Sequence, residues 1–331
     1  MSIDAFKQIT DLLSFLSPEE REKVQKLLKN NSSIKLEDLI QIKENQGICC
    51  PECGLATTVV KNGKNEKGVQ RFFCKECKVS FTPLSYTFLT NSKKDLGKWI
   101  QYAFCMIEGF SIRKSAEYCG ISIRTAFFWR HKLLEVLNQK LSRIKLRNVV
   151  EADDTFFRES YKGNTPPDRE SYKRGSSASK RGISSEQICV STAVDRDGRV
   201  YGKVSARGRA NAVQIKKALG KRIDASAILV SDNDSAYKRF ARINRFEHVI
   251  IQDHEIKGVY HVNTINSYHS RLKAFIRKFK GVATKYLDNY LAWLNSIKEK
   301  KLSLSQVIKN AIKEDSLVTW QSIKSKPLMP V

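Results

Sequence analysis

Two apolar, strand-like runs end in acidic residues, and this pattern constrains the fold of the chain more than any other. Residues 149–157 read VVEADDTFF and residues 228–240 read ILVSDNDSAYKRF, with a polar helix predicted after the acids of the second run. Strand ends in one sheet converge, so we expect the acids of both runs to lie close together. Hard divalent cations prefer carboxylate oxygen, and a pair of Mg²⁺ ions would fit there. The runs therefore predict an acidic site at one edge of an α/β sheet.

The rest of the chain beyond residue 148 has the periodicity of an α/β domain. Strand-like runs are followed by alternating helices and strands, in this order: strands at 148–156, 187–195 and 199–205, a helix at 210–222, a strand at 227–231, a helix at 234–243, a strand at 247–252 and a long helix from about 263. This is the order of an RNase H-like α/β fold. Residues 158–186 lack periodicity and are typical of a basic loop. That loop is either a solvated linker or a contact for DNA phosphates through Lys173 and Arg174.

The charge of the chain favours a polyanionic partner. It has 59 Lys and Arg residues against 34 Asp and Glu residues, which gives a net charge of +25 at pH 7. Such a field steers nucleic acid toward a protein and makes its binding depend on salt. A ribosome-associated or merely soluble basic protein is the alternative that charge alone leaves open.

Signals for a membrane or for secretion are missing from the sequence. No run reaches the ~18 apolar residues of a membrane span. The N-terminus, MSIDAFKQITDLL, lacks the basic start and the cleavage site of a signal peptide. We therefore expect a cytoplasmic, nucleoid-associated protein with no membrane partner.

Two Cys-x-x-Cys pairs predict a zinc ribbon. Cys50 and Cys53 form the first pair, Cys74 and Cys77 form the second, and twenty residues separate the pairs. Four thiolates at this spacing supply the tetrahedral set that structural Zn²⁺ requires, and the intervening sequence is typical of a hairpin. Disulfides are the alternative. Cys49 adjoins the first pair, but the CPECG pattern favours Cys50. The other three cysteines lie in apolar surroundings and are predicted to be buried thiols: Cys105, Cys119 and Cys189.

Residues 108–135 carry a helix-turn-helix pattern. A helix begins near Ser111, a turn follows at 119–121, and a second helix begins at Ser122. The second helix is predicted to present these side chains to DNA: Arg124, Thr125, Arg130 and His131. A three-helix packing unit without DNA contact is the alternative.

The patterns together predict a multidomain α+β protein with five regions. They are an N-terminal helical segment (1–44, with two short helices within 4–29), a zinc ribbon (45–92), a helix-turn-helix DNA-binding region (93–146), an RNase H-like catalytic domain (147–300) and a C-terminal tail (301–331).

With these motifs in place, the chain resembles the DDE-type transposases of bacterial insertion sequences, in the subgroup with an N-terminal zinc ribbon and helix-turn-helix. The resemblance covers nearly the whole chain. It rests on CPECG with the second CxxC, and on EADDTF, EQICVSTAVDRDGRV, SDNDSAY and HVNTINSYHSRLKAFIRKFKG. It implies an RNase H-like core that cuts at the ends of a mobile element and joins the freed 3′-OH to target DNA. It also implies two Mg²⁺ or Mn²⁺ ions, double-stranded DNA as partner, and a homodimer or higher oligomer in the active complex.

Matched residue by residue, the resemblance places two catalytic, metal-binding acids at Asp153 and Asp232. Asn266 stands where the usual third acid is Glu, and its neutral amide oxygen is expected to hold a cation more weakly. Some members of the subgroup carry Asn here with Lys seven residues later, the spacing of Lys273. The two residues share a helix face about 10.5 Å apart along the axis. Lys273 is then predicted to hold a DNA phosphate, and a solvated Lys on a basic helix is the alternative.

Neighbouring acids compete for these roles. Asp154 projects to the opposite face of its strand from Asp153, whereas Glu151 shares the face of Asp153 and is predicted to support the site. Asp234 is predicted to cap the helix that follows it. Among the histidines, His261 is the strongest candidate for a functional contact, and a structural role is the alternative.

Three classes of function remain open from sequence. The first is a complete transposase that binds the ends of its element and cleaves and transfers strands. The others are a DNA-binding regulator derived from an inactive transposase, and an RNase H-like nuclease or resolvase. Two intact aspartates behind two DNA-recognition modules favour the first.

Overall fold

The computed structural model describes Ser17, Glu19 and residues 34–163, 179–252, 255–298, 304–314 and 318–326. Apart from Ser17 and Glu19, the residues of the two helices predicted within 4–29 lie outside the described part of the chain. The chain forms two compact units, residues 1–105 with 302–313 and residues 106–301 with 314–331. Among the described helices, none is long and apolar enough to cross a membrane. The predicted five-region division remains a prediction.

The first unit contains a small antiparallel sheet. Helix α1 (Leu36–Asn45) precedes three strands in the order β1 (Val59–Lys64), β2 (Gln70–Cys74) and β3 (Ser80–Phe81). The β1–β2 turn is built on Asn65, whose Oδ1 accepts from the amides of Lys67 and Val69. Phe72 and Phe81 stack at 5.8 Å in the core of this sheet. The predicted hairpin between the two cysteine pairs is confirmed.

Helix α2 (Leu96–Ile107) leads into the second unit, which begins with two helices joined by a short turn. Ser111 caps α3 (Ile112–Cys119) by accepting from the Lys114 amide, and Ser122 caps α4 (Ile123–Leu141) by accepting from the Thr125 amide. Gly120 between them has φ +59° and ψ +45°, a left-handed conformation that glycine adopts without strain. Both helix starts agree with the predicted ones.

A five-stranded mixed sheet forms the centre of the second unit. Its strands are β4 (Val149–Arg158), β5 (Gln187–Asp195), β6 (Val200–Arg207), β7 (Ile228–Ser231) and β8 (Glu247–Ile250). The spatial order is β6-β5-β4-β7-β8, in which β4 pairs antiparallel with β5 and parallel with β7. The predicted order of strands along the chain is the observed one, in a mixed α/β domain.

Helices cover the two faces of this sheet. Four follow the strands in chain order: α5 (Ala212–Ile215, continued by a π-helical turn, Lys216–Gly220), α6 (Ser235–Asn244), α7 (Asn263–Lys278) and α8 (Leu287–Lys298). Helix α7 packs against β4 and β5, whereas α6 contributes Tyr237 and Phe240 to the core on the other face. Two further helices lie near the C-terminus: α9 (Leu304–Lys313), which packs on α1 in the first unit, and α10 (Trp320–Ser325) in the second.

Candidate active site

The register of β4 and β7 brings the two predicted catalytic acids together. These strands are parallel, with Val149 opposite Ile228 and Glu151 opposite Val230. Two residues further on, the same register sets Asp153 beside Asp232, which directly follows the last residue of β7. Burial and then the charge of Asp232 raise the pKa of Asp153, and the second effect is expected for neighbouring carboxylates.

Asp153 occupies a half-buried position among like charges. Its side chain is 27% exposed, and Oδ1 accepts from the Asp154 amide at 2.7 Å. Burial, followed by the charges of Asp232, Asp154 and Asp234, raises the pKa of Asp153 to about 7. Within the described ranges, neither Asp153 nor Asp232 forms an ion pair with Lys or Arg. The site therefore concentrates negative charge without a compensating side-chain cation.

His269 of α7 borders this site, a contact that the sequence reasoning missed. Its Nδ1 lies 3.6 Å from Asp153 Oδ2, and its Nε2 lies 2.6 Å from Thr192 Oγ1. The Thr192 hydroxyl donates to the Asp153 carbonyl at 2.9 Å, so Nε2 must carry the proton that Thr192 accepts. Burial, with Lys273 nearby, lowers the pKa of His269 to about 4. The imidazole is thus neutral and turns an Nδ1 lone pair toward Asp153. The sequence did contain a signal for this contact: His269 follows Asn266 by three residues, a spacing that places both on one face of a helix.

Glu151 fixes the start of α7 against β4. Its side chain is 1% exposed, and Oε2 accepts from the Ile265 amide at 2.9 Å. Oε1 pairs with Arg196 and lies 3.3 Å from His261 Nδ1. Arg196 also donates to Thr264 Oγ1 and to the Val259 carbonyl. Glu151 thereby holds the first turn of the helix that carries Asn266, as its predicted supporting role requires.

We expect Glu151→Ala to destabilise the protein by about 3 kcal/mol, because it leaves Arg196 and the Ile265 amide without their buried partner. Asp197→Ala is the matched control, since it removes an exposed carboxylate paired with Arg199 and should cost under about 1 kcal/mol. Urea unfolding followed by circular dichroism compares the two variants. Equal losses of stability would contradict the anchoring role of Glu151.

Asn266 and Lys273 lie on α7 as predicted. Asn266 is half-buried one turn before His269, and its side-chain amide makes no hydrogen bond to another described residue. Lys273 is exposed, and its charge contributes to the lowered pKa of His269. The side-chain oxygen of Asn266 is therefore available to a metal ion. Lys273 lies on the same face of the helix as His269.

Two neighbouring acids have other roles, as predicted. Asp154 turns to the opposite face, where its Oδ1 accepts from the Tyr237 hydroxyl at 2.7 Å. Asp234 caps α6 by accepting from the Ala236 amide at 2.6 Å. One carboxylate oxygen of each acid is therefore engaged in a structural hydrogen bond.

The four predicted cysteines form one cluster. The sulfur atoms of Cys50, Cys53, Cys74 and Cys77 all lie within 4.8 Å of one another. The two pairs have the same knuckle geometry. The Cys50 carbonyl accepts from the Gly54 amide at 2.8 Å, and the Cys74 carbonyl accepts from the Lys78 amide at 3.0 Å, both with positive φ at the donor.

All eight cysteines are free thiols, which excludes the disulfide alternative. Cys49 is exposed and outside the cluster, so the choice of Cys50 is confirmed. The predicted burial of the remaining three thiols is also confirmed: Cys105, Cys119 and Cys189.

Two of the four side chains of α4 that were predicted to contact DNA are buried. Arg124 is exposed, with its guanidinium 4.6 Å above the Trp320 ring, and Thr125 is half-buried beside the Ser122 cap. Arg130 and His131 are only 0% and 3% exposed, so their assignment to a DNA groove is wrong. Lys173 and Arg174 fall outside the described residues.

The buried pair instead packs the helices together. Arg130 donates to the Phe110 carbonyl at 2.8 Å and to Ser115 Oγ at 3.1 Å. Burial lowers the pKa of His131 to about 3, which keeps the ring neutral against Tyr286. Both side chains turn inward because α4 is enclosed by α3 on one side and α8 on another.

Two regions of the chain match models of known protein families. Residues 145–295 match the ISXO2-like transposase domain, and residues 47–78 match the InsA N-terminal domain, a zinc ribbon. The chain carries an ISXO2-like transposase domain. This domain contains Asp153, Asp232, Asn266 and Lys273, and the InsA-like ribbon contains all four clustered cysteines. The predicted relationship to insertion-sequence transposases with an N-terminal zinc ribbon is confirmed.

Individual relatives agree with this domain content. One is an uncharacterized protein in transposable element ISH50 of Halobacterium salinarum, 28% identical over 258 residues, which cover 76% of this chain and 86% of the relative. Among solved structures, this chain shows likeness to the Mos1 strand transfer complex and to the mariner Mos1 paired end complex with Mg. Each is 12% identical with a TM-score of 0.29, over 68% and 67% of this chain and 78% of either Mos1 chain. Likeness at this TM-score does not define a fold or a function.

Proposed function

We propose that this protein is a DDE-type transposase that binds the ends of an insertion sequence and catalyses metal-dependent strand cleavage and strand transfer. The observation that carries the proposal is the parallel register of β4 and β7, which sets Asp153 beside Asp232 under α7 within the transposase domain. The sheet order β6-β5-β4-β7-β8, with two antiparallel and then two parallel pairings, supports an RNase H-like core.

The donor set suits a hard divalent cation. Two carboxylates and the unbonded amide of Asn266 offer oxygen, the donor that Mg²⁺ and Mn²⁺ prefer. Burial and the charges of neighbouring acids raise the pKa of Asp153, and a dication would offset both by supplying a positive partner. Bound at these residues, the ions would activate the attacking hydroxyl and stabilise the leaving oxygen.

The chain's own residues keep this site in shape. Glu151 and Arg196 hold the first turn of α7, which fixes the backbone of Asn266 one turn before His269, the α7 residue that borders Asp153. Thr192 ties β5 to the backbone of Asp153 and, by accepting from His269 Nε2, to α7 as well. Because His269 is neutral, it adds no charge that would compete with a metal ion. Lys273, exposed on the same helix, is placed to hold a substrate phosphate.

End recognition is assigned to the first turn of α4 and to the zinc ribbon. Arg124 and Ile123 are exposed there, after the Gly120 turn, in the arrangement of a helix-turn-helix whose second helix enters the major groove. Binding of two element ends by a homodimer or higher oligomer would complete the active complex.

We expect Arg124→Ala to weaken binding to the element's end by about 1–3 kcal/mol if it reads a base, and by less if it touches only phosphate. Arg130→Ala should instead lower the free energy of unfolding by about 2–3 kcal/mol, since it removes two buried hydrogen bonds and leaves a cavity. Fluorescence anisotropy and thermal unfolding of both variants separate the two effects. If Arg124→Ala binds the element's end as tightly as the unmutated protein does, the proposed role of α4 in end recognition is wrong.

The proposed function is tested with the full chain and DNA that carries the inverted repeats flanking its coding region. With Mg²⁺ or Mn²⁺, labelled end DNA should be cut and its 3′ end joined to a target duplex, and EDTA should prevent both steps. A protein that binds these ends but leaves the strands intact is the regulator. Cutting without preference for the ends identifies a general nuclease.

A further inference from the structure

A cavity of about 550 Å³ in the second unit lies away from the acids. It is bounded by β6, by the π-helical turn after α5 and by Asn244 at the end of α6. Five of its nine lining residues are cationic, and none is acidic: Lys203, Lys216, Lys217, Lys221 and Arg222. Such a concentration of one sign attracts polyanions.

The lysines of this basic cavity lack acidic side chains at ion-pair distance among the described residues. None of the four forms an ion pair or a side-chain hydrogen bond in the part of the chain that the structure describes, and Lys216, Lys217 and Lys221 are exposed. The Arg222 guanidinium lies 5.3 Å from the Tyr201 ring. Arg222 thus faces Tyr201, and the charge of Lys203 acts on the buried Asp288. The exposed Lys216, Lys217 and Lys221 have no such contact among the described residues and remain available to a ligand.

Strand register places this cavity across the sheet from α7. Asp153 is opposite Thr192 on β5, and Thr192 is opposite Gly202 on β6, so these three share one face. Tyr201 and Lys203 flank Gly202 and point to the other face. A phosphate bound in the cavity is thus not the phosphate at Asp153 and Asp232.

The local backbone concentrates the lysines. Lys216 and Lys221 bracket one π-helical turn, a departure from α-helix that is frequent at functional sites. Gly220 within the turn keeps the cavity open, because a Cβ there would lie 3.2 Å from Lys216 Cγ and 3.4 Å from Asn244 Oδ1.

We propose that the basic cavity binds the phosphodiester backbone of a DNA segment other than the one being cut. This inference rests on the proposed function. The lining offers no Ser or Thr hydroxyl, and lysines act as point charges on flexible stems, so the donors suit sequence-independent phosphates better than one small, fixed anion. The duplex would cross the α5 and α6 face of the sheet.

The test compares two double variants. The cavity variant combines Lys217→Ala and Lys221→Ala, and the control variant combines Lys309→Ala and Lys313→Ala, which removes two exposed charges from α9. Affinities for an element-end duplex and for a scrambled duplex of equal length are measured by anisotropy over a range of NaCl concentrations. For the cavity variant, the slope of log K against log salt should fall in magnitude by about 1.8, since each phosphate contact contributes about 0.9. The ratio of the two affinities should stay unchanged, because phosphates carry no sequence information.

Equal slopes for the two double variants on the scrambled duplex would overturn the inference. So would calorimetric 1:1 binding of inorganic phosphate that the cavity variant loses while its DNA slope stays unchanged, which would identify a site for a small anion. If the unmutated protein shows no preference for the end duplex, the proposed end recognition fails, and the slopes on the scrambled duplex still decide the cavity.

Discussion

Asp153→Asn and Asp232→Asn are each expected to lower strand transfer by at least about a thousandfold, equivalent to ~4 kcal/mol of transition-state stabilisation. Asn keeps the size of the side chain but removes the charge that would hold a dication between β4 and β7. Affinity for element-end DNA should stay close to that of the unmutated protein, because the proposed end recognition lies in α4 and the zinc ribbon. A gel assay of joined products, run beside anisotropy on the same samples, measures both properties.

Asp234→Asn is the matched control for these variants. Asp234 is two residues from Asp232 but caps α6 through the Ala236 amide, and Asn is an equally good cap. This variant should keep most of its activity. Full strand transfer by either Asp153→Asn or Asp232→Asn would refute the assignment of these acids as metal ligands. Equal losses of strand transfer in all three variants would mean that the negative charge of the region matters rather than ligation of a metal by two particular acids.

Cys74→Ser combined with Cys77→Ser should lose one equivalent of Zn²⁺ per chain and unfold the ribbon. The binding energy of structural zinc, about 10–16 kcal/mol in small zinc domains, is folding energy of the segment that binds it. The core of β1–β3 is small, with Phe72 and Phe81 as its aromatic centre, and two of the clustered cysteines belong to it. Elemental analysis by mass spectrometry and proteolysis of residues 47–78 measure the loss.

The transposase domain should keep its own unfolding transition in this variant, because its core contains none of these thiols. Cys49→Ser is the control, since Cys49 is exposed and outside the cluster. It should retain zinc. Zinc in the double variant, or its loss from Cys49→Ser, would contradict the four-cysteine assignment.

Local sequence patterns were sufficient for much of this architecture. The CxxC spacing identified the cysteine cluster, because each pair needs only its own knuckle to position two thiols. The acids were found because strand ends and helix caps are local features: Asp153 and Asp154 alternate across β4, and Asp234 begins α6. The position of each residue followed from the period of the element that carries it.

Contacts between distant segments were beyond the reach of such patterns. Arg130 and His131 have the polar character of a DNA-facing residue, and a single-helix view cannot show that α3 and α8 enclose them. The ion pair of Arg196 with Glu151 joins residues 45 apart in sequence. The approach of His269 to Asp153 depends on how α7 packs across β4 and β5, which periodicity does not define.

Iron-directed backbone cleavage tests most directly whether β4, β7 and α7 form one metal centre. Fe²⁺ that replaces Mg²⁺ would generate hydroxyl radicals with ascorbate and peroxide, and mass spectrometry would map the cut peptide bonds. We predict cuts near Asp153, Asp232 and Asn266 that excess Mg²⁺ suppresses and that disappear in Asp153→Asn combined with Asp232→Asn. Cuts confined to the cysteine cluster, or cuts at the three segments that persist in this double variant, would contradict the proposed centre.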